Sequence, residues 1–156
     1  MRRTLSALVL LLVLPTLAAA QATAGSDAAS VETWLKGYDA AFMAKDLDRL
    51  AAFYHPDVTI YEGTGINNGW ADYRDRHLGP ELKAFANLQF GHTETKVTMM
   101  PGGQSAYATS RYTIKAKMGD RDLDSEGLES FVLVKTPEGW KIRHSHTSSR
   151  ARRPPQ

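Results

Sequence analysis

The periodicity of the chain changes once, near residue 85, and that change restricts the fold more than any motif does. From Val31 to Phe42 the apolar positions Val31, Trp34, Leu35, Tyr38, Ala41 and Phe42 recur at the three- and four-residue spacing of one helix face. Beyond it, Leu88 to Met100, Gln104 to Met118, Arg121 to Lys135 and Trp140 to Ser149 read as four long strands. They are parted by Pro101-Gly102-Gly103, Gly119-Asp120 and Thr136 to Gly139. Between the two regimes, Asp46 is placed to cap a short helix carrying Leu47, Leu50, Ala51 and Phe53 until Pro56 stops it. Val58 to Glu62 then makes a short strand, Gly63 to Gly69 a loop, and Trp70 to Leu78 a third helix ended by Gly79-Pro80. Helices followed by a meander of strands predict an α+β domain, with the helices packed on one face of a curved antiparallel sheet.

Two turns extend this to a register. Gly119-Asp120 is a two-residue hairpin loop, which sets Lys117 across from Asp122 and Lys115 across from Asp124. Facing opposite charges mark those positions as the wet face. The inner face then carries Tyr112, Ile114 and Ala116 on one strand and Leu123, Glu129, Phe131 and Leu133 on the next, and Arg111 falls on the wet side. Carried through the four-residue turn, the pairing sets Leu133 against Ile142, Phe131 against His144 and Glu129 against His146. It predicts an acid and two histidines together on an apolar inner face, and an odd slip would turn both histidines outward.

The first twenty residues follow a different logic. Arg2 and Arg3, an apolar run from Leu5 to Leu14 and small residues Ala18 to Ala20 have the layout of a secretory signal, and the run is shorter than a membrane span. Cleavage is expected before Gln21 or Gly25. The organisation read from the sequence is therefore a signal over 1–20, a flexible lead over 21–27, one domain over 28–149 and a basic flexible tail over 150–156. The mature protein is expected to be periplasmic or secreted, with no stable membrane insertion after cleavage. The chain holds 19 Lys and Arg against 17 Asp and Glu, and losing Arg2 and Arg3 balances the two. No basic stripe offers a nucleic-acid surface. With no Cys, stability must come from the core or a subunit interface, and neither a thiol nucleophile nor a thiolate ligand is available.

Three stretches together resemble the nuclear-transport-factor-2-like superfamily, in its SnoaL-like and ketosteroid-isomerase-like bacterial branch. They are Ala40-Ala41-Phe42-Met43-Ala44-Lys45-Asp46, the step His55-Pro56-Asp57-Val58, and Gly139-Trp140-Lys141-Ile142-Arg143-His144-Ser145-His146-Thr147-Ser148-Ser149. The resemblance implies a cone-shaped, cystatin-like α+β fold whose bent sheet wraps a pocket closed by the first helix, often in a homodimer through the outer sheet face. It does not imply one function, because members include isomerases, cyclases, dehydratases and purely structural subunits. Ketosteroid isomerases pair an Asp base with Tyr and protonated Asp donors. No set of positions here lines up with all three.

The candidate catalytic residues are Glu129 with His146, because a carboxylate beside an imidazole orients the ring and raises its basicity, and His144 next to them. A buried structural pair would look the same. His144 and His146 could also chelate a metal with Glu129 and either His77 or Glu62, but His-x-His falls short of a zinc site's usual three ligands, so no metal or cofactor is assigned. Tyr61, Glu62, Trp70, Tyr73, His77 and Tyr112 are the candidate ligand-binding residues at the pocket mouth. Trp70, Tyr73 and His77 share one helix face, which ordinary core packing also explains. Tyr54 and Ser110 are further polar wall positions. The partners expected are a small hydrophobic or aromatic ligand and a second copy of the chain. The two functional readings are a proton-shuttling enzyme of the isomerase, cyclase or dehydratase type, and a non-catalytic ligand-binding or dimerisation module of the cell envelope.

Overall fold

The computed structural model describes residues 15–152, with side-chain surroundings from Asp27 onward. Of the expected secretory signal, Arg2, Arg3 and the apolar run from Leu5 to Leu14 lie outside the described residues. Helix α1 spans Pro15–Met43 and α2 spans Leu47–Ala51, followed by strands β1 (Tyr54–Glu62) and β2 (Gly65–Asn68). Helix α3 (Trp70–Tyr73) runs through a π-helical turn, Arg74–Leu78, into α4 (Gly79–Ala84). The strands β3 (Phe85–Met99), β4 (Ser105–Met118), β5 (Arg121–Thr136) and β6 (Gly139–Ala151) complete the domain.

The apolar stripe of α1 is buried as its spacing requires: Val31, Leu35, Tyr38, Ala41 and Phe42 all enter the core. Asp46 caps α2, its carboxylate accepting from the Arg49 amide at 2.9 Å. The third helix does not stop at Gly79-Pro80. The Gly79 amide donates five residues back to the Arg74 carbonyl, and this wider turn carries the chain across Pro80 into α4. Gly79 is required there, because a Cβ would lie 2.5 Å from the Arg74 carbonyl oxygen.

All six strands form one sheet in the order β2-β1-β6-β5-β4-β3. The meander β3 to β6 is antiparallel as predicted, with Lys117 opposite Asp122 and Lys115 opposite Asp124. At its other end the sheet is mixed, because β1 runs parallel to β6. The loop expected over 63–69 contributes β2, antiparallel to β1. The tail departs from expectation as well. Arg150 and Ala151 extend β6, with Arg150 paired to Glu126 at 2.7 Å and the Arg152 amide donating to the Asp124 carbonyl.

Three ladders carry register shifts, and these bends curve the sheet around α1. β3 shifts between Ala86 and Gln89 and between Thr93 and Lys96, where Asn87 and Glu94 take left-handed φ values of 54° and 52°. The third lies between β5 and β6: Leu133 pairs with Ile142 but Val132 pairs with His144, leaving Arg143 as the extra residue. Opposite it, β1 skips from Tyr54 to Thr59 in its pairing with β6, across Pro56, which has no N–H to give the ladder. The Arg143 guanidinium fills the gap by donating to the Asp57 carbonyl. Phe131, Leu133 and Ile142 anchor the core beneath, each of order 1.5–3 kcal/mol in burial free energy.

Candidate functional site

The Arg143 bulge corrects the most specific sequence expectation. His144 and His146 do not face inward beside Glu129, because one extra residue flips every side chain beyond it. Glu129 pairs with Thr147 and Phe131 with Ser145. His144 and His146 lie on the outer face against Tyr61, at ring distances of 5.1 and 6.2 Å, and the His144 Nδ1 meets the Thr59 hydroxyl at 2.7 Å. Tyr61, expected at the pocket mouth, is 42% exposed on this same outer face. The metal shell that would join these histidines to Glu129 is split by the sheet. Among the described residues, no group of three or more His, Cys, Asp or Glu is arranged to hold a metal.

Glu129 itself faces inward and is buried, with partners the sequence reading did not name. Its Oε2 lies 2.9 Å from His92 Nε2, and its Oε1 accepts from the Ser145 hydroxyl at 2.6 Å. On the other side of the imidazole, His92 Nδ1 lies 2.6 Å from Asp39 Oδ1, and the His92 amide donates to Asp39 Oδ2 at 3.0 Å. The His92 side chain is 3% exposed. Burial opposes its charge, but the hydrogen bonds and charges of Asp39 and Glu129 outweigh that and raise its pKa to about 9. At neutral pH it is an imidazolium held between two carboxylates. Both ring nitrogens and both Glu129 oxygens are already committed. The group Asp39-His92-Glu129-Ser145 therefore has the satisfied character of a structural polar core.

Aromatic rings surround this group. Tyr38 and Tyr54 share a hydroxyl hydrogen bond of 2.8 Å. Trp70 stacks on Tyr54 at 4.7 Å, and Tyr73 meets the same ring edge-on at 5.6 Å. Trp70 and Tyr73 thus act as packing, the bland account of their helical spacing. Burial pushes the hydroxyls of Tyr38, Tyr54 and Tyr73 well above the ordinary phenol value, so all three remain protonated. Ser110, also buried, exchanges a hydrogen bond with Thr95 at 2.8 Å.

On the concave side, space opens toward the other end of the strands. A cleft of about 230 Å³ is walled by Phe85, Ile114, Met118 and Leu123, with Glu62, Glu81, Tyr112, Ser125, Ser149 and Arg121 supplying its polar surface. Glu62 at the end of β1 and Glu81 on α4 each approach His77 Nε2 to 3.5 Å, and His77 Nδ1 lies 2.8 Å from the Asn67 side-chain oxygen. Burial, followed by the neighbouring Glu81 charge, raises the Glu62 pKa against the opposing pull of His77. The hydrogen bond to Glu81 leads the causes that raise His77, with burial opposing. Tyr112 joins the cleft to the buried group, its ring 6.2 Å from His92, and burial raises its hydroxyl pKa also. Gly127 makes room for that ring: a Cβ there would lie 2.5 Å from it. Of the expected ligand-binding residues, then, Glu62 and Tyr112 line the cleft, His77 supports Glu62, Trp70 and Tyr73 lie in the core, and Tyr61 is outside.

Along residues 31–152 the sequence matches one family model, that of the SnoaL-like domain. The chain belongs to the SnoaL-like family. No curated protein matches the sequence. Among solved structures, this SnoaL-like chain is similar to a protein provisionally called a ketosteroid isomerase from Shewanella frigidimarina. That match has 26% identity and a TM-score of 0.63, covering 72% of this chain and 90% of that one. It is also similar to a provisionally named dehydratase of the NTF2-like family from Streptomyces avermitilis, at 19% identity and a TM-score of 0.71, covering 82% and 99%. A third likeness is to the CaMKII hub of S. rosetta, at 20% identity and a TM-score of 0.64, covering 79% and 96%. The last two establish the NTF2-like fold alone.

His92 and Asp39 were hidden for physical reasons. The sequence assigns no register to β3; in the structure Met99 pairs with Ala106, and the bulge at Glu94 and Thr95 shifts the ladder by one so that His92 pairs with Tyr112. Asp39, four residues after Leu35, sits at the margin of the apolar stripe, where a charge reads as solvated.

Proposed function

We propose that this SnoaL-like domain is an exported enzyme that moves a proton on a small apolar molecule in the cleft, in an isomerisation, cyclisation or dehydration. The observation that carries the reading is Glu62, a carboxyl group with a raised pKa in a cleft that also presents the apolar side chains of Phe85, Ile114, Met118 and Leu123. A carboxyl poised nearer neutrality can both accept and return a proton in one turnover. His77 and Glu81 hold it in place, and the Tyr112 hydroxyl on the same wall is a neutral donor for an oxygen on which negative charge develops. The His92 ring lies behind Tyr112 at 6.2 Å. The likeness to a protein provisionally called a ketosteroid isomerase supports the reaction class. Arg2, Arg3, the apolar run and the small residues before Gln21 support export, and the intact mass of secreted protein starting at Gln21 or Gly25 tests it.

Proton transfer can be tested before the substrate is identified. The protein is incubated in D₂O with a panel of cyclic and aryl ketones, and exchange at the carbon next to the carbonyl is followed by NMR. Exchange well above the buffer rate for at least one ketone, lost when Leu123→Trp fills the cleft, is the expected result. Exchange at the buffer rate across the panel would overturn the enzymatic reading.

A second reading, a dimerisation module, is favoured by the outer sheet face, where Tyr107, Leu128 and Val132 are 45%, 55% and 41% exposed. Apolar surface on both sides of β5 is accounted for by a second copy of the chain. The two readings are compatible, since the cleft opens on the other side of the sheet.

A further inference from the structure

We infer that the cleft takes an anionic ligand, a small apolar or aromatic carboxylate, with its body against Ile114, Met118 and Leu123 and its carboxylate on Arg121. The inference rests on the cleft being the ligand site. Arg121 opens β5 immediately after the Gly119-Asp120 hairpin and lines the cleft beside Met118, whose sulfur its guanidinium approaches at 3.6 Å. Arg74, Arg76, Arg111, Arg150 and Arg152 are each ion-paired to a carboxylate. Arg121 has no carboxylate partner among the described residues, although Asp120 and Asp122 flank it and Glu62 and Glu81 line the same cleft. Asp122 is engaged with Lys117 at 3.7 Å, while Glu62 and Glu81 turn to His77. A guanidinium with no acid partner beside the apolar side chains of Ile114, Met118 and Leu123 suits a bidentate carboxylate.

Charge balance agrees. Glu62 and Glu81 are both directed at His77, at 3.5 Å each, which leaves the Arg121 charge as the one in the cleft without a counter-charge among the described residues. That arrangement sets the ligand's anionic end on Arg121 and leaves Glu62 to meet its reactive part. The volume, below the roughly 300 Å³ at which drug-sized pockets begin, suits one ring and a short chain.

Three probes with one apolar body separate the alternatives: 3-phenylpropanoate, 3-phenylpropanol and 3-phenylpropylamine, titrated by calorimetry into the full mature protein. The carboxylate is expected to bind at least about tenfold tighter than the alcohol, weakening with salt. Arg121→Gln is expected to bring it down to the alcohol's affinity while leaving the alcohol unchanged, which also reports an intact cleft. Equal binding of carboxylate and alcohol, or tightest binding of the amine, would overturn the inference and leave the cleft as the ligand site. Carboxylate binding that survives Leu123→Trp, or no binding of any probe, would overturn the cleft reading itself.

Discussion

Replacing His92 by Gln tests whether the buried group is held by charge. In the folded protein the imidazole titrates near 9, against 6.5 for a free histidine. A proton bound more tightly in the folded state stabilises it below the unfolded pKa, and that contribution is lost as pH rises through the folded one. Two and a half pH units at about 1.36 kcal/mol each amount to about 3 kcal/mol, with no discount for solvent because the side chain is 3% exposed. The full amount is present below about pH 6.5 and is gone above about pH 9. Urea unfolding of wild type and His92→Gln at matched protein concentration, at about pH 6 and about pH 10, reads it directly. The stability gap between them is expected to shrink by about 3 kcal/mol at the higher pH. A gap that stays constant, or a His92 resonance titrating near its ordinary value, would refute the imidazolium assignment.

Other substitutions probe the packing around it. Tyr54→Phe removes one partner of the buried Tyr38 hydroxyl and is expected to cost about 1–3 kcal/mol in chemical denaturation. Gly127→Ala presses a methyl against both the Ser148 carbonyl oxygen and the Tyr112 ring and is expected to lower stability by about 1–3 kcal/mol, with near-ultraviolet circular dichroism reporting a displaced tyrosine. Val132→Lys on the outer face is expected to convert a homodimer to monomer by light scattering without a change in far-ultraviolet signal; a wild-type monomer at high concentration would remove the dimer from the account.

The α+β class, the helix stripe and the β4–β5 register were legible because each follows from a strong local rule. A 3.6-residue period, a two-residue hairpin loop and facing charges at Lys115–Asp124 and Lys117–Asp122 leave little freedom. The site was legible only where no bulge intervened. Glu129, before the Arg143 bulge, was placed correctly inside, whereas His144 and His146, beyond it, were placed on the wrong face. His92 was missed because no turn or charge pair in the sequence fixed the register of β3, which carries its own bulge at Glu94. Pro56 hints at the first of these, since a strand crossing a proline cannot keep an even ladder, but the compensating residue lies 87 positions later and no local pattern marks it. The parallel pairing of β1 with β6 was likewise a long-range choice that alternation does not encode.

Proton transfer is assigned to Glu62 in the cleft and not to the Glu129–His92 pair behind it. Exchange of a ketone's α-protons in D₂O, measured for Glu62→Gln and Glu129→Gln and expressed per folded molecule, separates the two. Glu62→Gln is expected to fall to the buffer rate with its melting temperature little changed, and Glu129→Gln to melt lower while retaining most of its exchange rate. Loss of exchange in a folded Glu129→Gln, with full activity in Glu62→Gln, would contradict the assignment.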